Sequence, residues 1–151
     1  MYQNADITKT RVYSLSVEGA SYPIREHFTL GEFACRDGSD IVLVHPMHAD
    51  FTEELRVAIG MSLTMNSAYR TWGHHKGIYR RKNKTRKATG LSVLKITTQS
   101  AHLWAMAGDY VCADMKLLEA KMNELNPGGM GLYRTFIHGD VKGENRRWDN
   151  R

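Results

Sequence analysis

Cysteine and proline are scarce in this chain, at two and three of 151 residues. Two cysteines, Cys35 and Cys112, exclude a disulfide-stapled scaffold and lack the paired spacing of a structural zinc knuckle. They are expected to be reduced and buried. No apolar run approaches the roughly 20 residues that cross a bilayer, so no membrane span is expected. The N-terminus, Met1-Tyr2-Gln3-Asn4-Ala5-Asp6, lacks the basic start and apolar stretch of a secretory signal. There are no internal repeats. Acidic residues are the minority, 16 against 21 Lys and Arg, which gives a net charge of +5. The length suits one domain, and a hydrophobic content of 42% is enough for one core.

What is present is a distinctive set of metal-ligating residue types. The stretch Ser100-Ala101-His102-Leu103-Trp104-Ala105-Met106-Ala107-Gly108-Asp109 is followed by His138-Gly139-Asp140. Zinc accepts imidazole nitrogen and carboxylate oxygen, and catalytic sites keep three protein ligands with one position open for water. Residues seven apart on one helix return to nearly the same face but stand two turns, about 10 Å, apart along the axis, too far to share an ion. His102 is therefore expected in a loop or turn, and Asp109 on a strand over about 107–112. A second strand over about 135–141 places Phe136, His138 and Asp140 on one face. Pairing the two strands brings Asp109 to His138. By spacing alone, the same residues also read as a loop histidine with two surface or capping groups.

Four segments in order resemble the zinc D-Ala-D-Ala metallopeptidases, cell-wall peptidases related in fold to lysostaphin-type enzymes and the hedgehog domain. They are Phe28-Thr29-Leu30-Gly31-Glu32-Phe33-Ala34-Cys35-Arg36-Asp37-Gly38-Ser39, Asn66-Ser67-Ala68-Tyr69-Arg70-Thr71, the Ser100–Asp109 stretch, and Phe136-Ile137-His138-Gly139-Asp140-Val141. The resemblance runs from about Phe28 to Trp148. It implies that His102, Asp109 and His138 bind Zn2+ and that Arg70 holds a substrate carboxylate or oxyanion. The planar, permanently charged arginine fork suits that task. Two positions depart from the pattern. Ala105 stands where many relatives have glycine, which requires a negative φ there. Thr135 stands where many relatives carry the general-base carboxylate. Asp140, on the same strand face as His138, is the substitute base, and an exchange of roles between His138 and Asp140 stays open.

The rest of the chain supplies scaffold. Residues 1–27 read as a lead-in with a strand at Arg11–Val17, and residues 28–151 as the peptidase domain. A short apolar run at Ile41–Val44 precedes a helix from Pro46 to a stop at Gly60. Ser62–Asn66 reads as a strand leading to Arg70. A second helix spans Ala113–Leu125. Lys76, Arg80, Arg81, Lys82, Lys84, Arg86 and Lys87, preceded by His74 and His75, read as an extended basic loop at about 74–98 bordering the cleft. Specific nucleic-acid binding is not expected, since only Tyr79 and Trp72 lie near for base stacking. The expected architecture is α+β: a small antiparallel sheet carrying the zinc site, with helices on one side. The implied function is hydrolysis of a peptide bond in a peptidoglycan stem peptide. The protein is then made in the cytoplasm and acts at the wall, as a phage lysin or virion-delivered enzyme does. A non-catalytic phage or wall-binding module of the same fold is the alternative. Oligomeric state is open.

Overall fold

A computed structural model describes residues 1–151. Helices and two sheets make an α+β fold. β1 (Arg11–Ser14) and β2 (Ile41–Val44) form an antiparallel pair. The larger sheet contains β3 (Thr64–Ser67), β4 (Ala107–Val111), β5 (Gly129–Leu132), β6 (Ile137–Asp140) and β7 (Arg146–Asp149), in spatial order β3-β4-β6-β5-β7. The helices are α1 (Leu15–Glu18), α2 (Leu30–Phe33), α3 (Pro46–Ile59), α4 (Trp72–Ala88) and α5 (Met115–Leu125). No helix is long and apolar enough to cross a membrane.

The larger sheet is mixed, where an antiparallel one was expected. Both edges of β6 are filled, by β4 and β5, so the next strand must take the outer edge of β5. β6 ends beside the start of β5, and β7 therefore enters there and runs parallel to it. The crossing passes over Gly128. A Cβ at that residue would meet the Gly143 carbonyl oxygen at 2.6 Å, so only glycine fits.

Helices α3 and α5 cover one face of this sheet. Pro46 opens α3 and Gly60 closes it at φ 66°. Its buried stripe is Phe51, Leu55 and Ile59. Fully burying each such side chain contributes about 1.5–3 kcal/mol. Phe51 and Met122 of α5 close over Gly139 of β6. Beside them the Tyr110 hydroxyl is buried between His48 Nε2 at 2.9 Å and Thr52 Oγ1 at 2.7 Å.

Two expectations differ here. The strand at Arg11–Val17 stops at Ser14, because Asp40 captures the next backbone: its Oδ1 accepts from Ser16 N and its carbonyl from Leu15 N. Residues 1–27, the expected lead-in, pack onto the rest of the chain. Ala5 N donates to Val141 O at 2.9 Å, and the Tyr2 ring packs edge-on against Phe51. The basic stretch is not a loop over its first half, since Trp72–Ala88 is helical and only residues 89–98 are irregular. Thr71 caps this helix by accepting from His74 N, and Trp72, His75 and Tyr79 stack along one side. Lysine and arginine are good helix formers, and charge alone does not prevent a capped, one-sidedly packed helix.

Candidate metal centre

β4 and β6 pair so that Asp109 lies opposite His138 and Ala107 opposite Asp140. By strand alternation all four face away from α3 and α5. On β3, Met65 pairs with Tyr110 while Ser67 pairs with Asp109, which requires a bulge at Asn66. The extra residue re-aims the strand, so Met65 points to the core and Ser67 to the site. His102 sits in a 3-10 turn at Ala101–Trp104, immediately before β4.

These elements bring the three expected ligands together. One donor atom each from His102, Asp109 and His138 lies within 4.8 Å of the others. His102 Nε2 is 3.3 Å from Asp109 Oδ1, and His138 Nδ1 is 3.0 Å from the same oxygen. Tetrahedral coordination with bonds of 2.0–2.1 Å separates its ligand atoms by about 3.3 Å. The two distances to Asp109 therefore already match edges of such a tetrahedron, and the group could hold a metal ion.

The remaining ring nitrogens are fixed from behind. His102 Nδ1 is 2.7 Å from the Ala68 carbonyl, which can only accept, so that nitrogen carries the proton and Nε2 is left as the donor atom. His138 Nε2 is 3.0 Å from Asp140 Oδ2, which leaves Nδ1 free to ligate. A carbonyl or carboxylate behind each ligating histidine sets its tautomer and ring angle. Asp109 is supported likewise: Arg70 donates through one guanidinium nitrogen to its Oδ2 at 2.6 Å. Arg70 is itself oriented by Ser67 Oγ at 2.8 Å and by its backbone N–H to His102 O.

Burial opposes charge on Asp109, but the two imidazoles outweigh it and hold its carboxyl well below the usual range. Burial also lowers His102, more than Asp109 raises it. His138 behaves oppositely. Burial pulls it down, yet Asp109 and Asp140 together push it up to about 9. A protonated His138 thus supplies, without metal, the positive charge that the two carboxylates demand.

Asp140, the expected substitute base, is enclosed by its own partners. It is 1% exposed. Its Oδ2 faces His138 Nε2, and its Oδ1 accepts from Lys142 N at 2.9 Å and from Arg146 at 2.5 Å. It lies behind the His138 ring, on the side away from Nδ1. Ala105 also departs from expectation, with φ 57° in place of a negative value. The turn needs that conformation to let Met106 N reach Ala101 O at 3.0 Å. A left-handed alanine costs roughly 1–2 kcal/mol. Its methyl group, 1% exposed, offsets part of this by packing.

A cleft of about 180 Å3 opens onto the ligands. Arg70 and Lys82 give it positive charge, and Tyr133, Phe136 and Trp148 give it apolar wall. Asp109 is its only carboxylate residue. Sequence reasoning missed Arg146, Tyr133 and Trp148. The signal was Gly129-Met130-Gly131: glycine alternates along β5 opposite Asp140 and His138. A Cβ at Gly129 would overlap Asp140 Oδ2, and one at Gly131 would overlap the Trp148 indole. Cys35 and Cys112 are free, as expected, although Cys112 is only half-buried.

Comparison of the chain with protein-family models, with curated proteins and with solved structures finds no match.

Proposed function

We propose that the protein is a zinc-dependent peptidase of the D-Ala-D-Ala metallopeptidase type, acting on the stem peptide of bacterial peptidoglycan. The observation that carries this reading is the convergence of His102 Nε2, Asp109 Oδ1 and His138 Nδ1 near tetrahedral spacing beside a cleft. Two imidazoles and one carboxylate with an open position suit zinc over harder ions. When bound, zinc supplies Lewis-acid activation of water and of a carbonyl. His102, Asp109 and His138 hold the ion. Arg70 fixes Asp109 and, with Lys82, attracts the carboxylates of a stem peptide into the cleft. Tyr133 and Trp148, joined by an indole N–H to hydroxyl bond of 3.1 Å, form a wall that excludes water from the peptide's far side. Asp140 positions His138 by accepting a hydrogen bond from its Nε2–H. Zinc-loaded protein should release new amino groups from isolated peptidoglycan. No release, at a metal content of one or more per chain, overturns the reading.

One observation favours a second reading, a wall-binding module that does not cut. The cleft offers no carboxylate free to take a proton, since Asp109 is a ligand and Asp140 is tied on both oxygens. Retention on peptidoglycan without amine release is its expected signature.

A further inference from the structure

Cys35, Asp37 and His74 form another group of donors, outside the centre above. A sulfur, a carboxylate oxygen and an imidazole nitrogen lie within 4.8 Å of one another. Cys35 and Asp37 follow α2, and His74 lies in the first turn of α4. The Cys35 thiol is free and 4% exposed. Thr71 reaches both neighbours. Its backbone N–H donates to Cys35 Sγ at 3.4 Å, and its hydroxyl donates to Asp37 Oδ2 at 2.5 Å. Ser39 N donates to Asp37 Oδ1 at 3.0 Å. The His74 ring is half-buried, and no protein hydrogen bond claims its nitrogens.

We propose that Cys35, Asp37 and His74 bind a second divalent cation of the zinc class. The donor chemistry selects it: thiolate and imidazole favour borderline-soft ions over magnesium or calcium. N–H to sulfur and hydroxyl to carboxylate bonds are the outer contacts that orient such ligands. The positive pole of the α4 N-terminus favours the two anionic ligands, which in turn offset its repulsion of the cation. The position also gives the ion a role. Arg70 directly precedes Thr71, and His75 is the only buried residue of α4. A cation at this point ties residues 35–37 to the start of α4 and so steadies the segment that carries Arg70. The sequence offered no paired-cysteine spacing because the site draws one thiol, and its third donor is distant in the chain.

The test needs no assumption about hydrolysis. The intact protein is loaded with zinc, dialysed and assayed for metal. About two equivalents per chain are expected in the wild type, and about one in either His74→Ala or His102→Ala. Cobalt substitution supplies the second measurement. A thiolate-to-cobalt charge-transfer band should appear in the wild type and in His102→Ala, survive Cys112→Ser, and vanish in Cys35→Ser. His74 is half-buried and makes no side-chain hydrogen bond, so its alanine variant tests the site if Cys35→Ser fails to fold. Unchanged metal content in His74→Ala, or a wild type with no thiolate band, overturns the proposal. Because amine release is not read, the outcome is independent of whether the protein cuts peptide bonds.

Discussion

Asp140 Oδ2 lies 3.0 Å from His138 Nε2, two residues away on one face of β6, while the opposite side of the same ring faces Asp109. The carboxylate therefore acts on the ring and has no direct line to the cleft. Asp140→Asn should lower metal affinity by roughly 10–100-fold, because the outer partner of a ligating histidine is weakened. Competition with a chromogenic chelator measures it. A proton-accepting Asp140 would instead lose turnover and its acidic pH limb at unchanged metal affinity.

His102→Ala should remove one ligand and leave a folded chain. Amine release is expected to fall to background, with metal retained weakly if at all. The Ala68 carbonyl also loses its buried donor, a cost of about 1–3 kcal/mol. Circular dichroism with thermal melting reads both the intact fold and the lowered Tm.

The metal-free protein should lose stability in alkali. The His138 value of about 9 stands above the ordinary imidazole value. Its charged form therefore stabilises the fold fully below pH ~6.5, and that contribution disappears as pH rises through about 9. Tm in the presence of chelator should fall across this window, and His138→Gln should flatten the fall. Near neutral pH, metal binding should release about one proton, seen as a buffer-dependent enthalpy in titration calorimetry.

Gly131→Ala should displace the Trp148 indole, because the added methyl group occupies the ring's place. Overpacking of this kind costs about 1–3 kcal/mol. A shift in tryptophan emission is expected and, on the proposed function, weaker binding of stem peptides. An unchanged spectrum would mean that Trp148 does not lean on β5.

Much of this was legible in the chain. Pro46 and Gly60 bracket α3 as their residue types predict, and Asn126 closes α5. The His102, Asp109 and His138 cluster was reachable because period-two alternation puts Asp109 and His138 on strand faces that pairing brings together. Three matters were not legible. The direction of β7 depends on which edge of the sheet is free, a property of the assembled sheet. The roles of Asp140 depend on Arg146 and Lys142, whose approach follows from that same crossing. The helical state of residues 72–88 was hidden because repeated like charges mask the aromatic side formed by Trp72, His75 and Tyr79.

The three ligands come from stretches that meet only when β4, β6 and the turn at His102 are all in place. An ion held there would act as a rivet through the whole domain. By mass action it shifts the folding equilibrium, about 2.7 kcal/mol at a free metal concentration one hundred times Kd. If the proposed ion binds, thermal denaturation should therefore double as an assay of metal supply, with the melting point climbing as the logarithm of the free metal concentration.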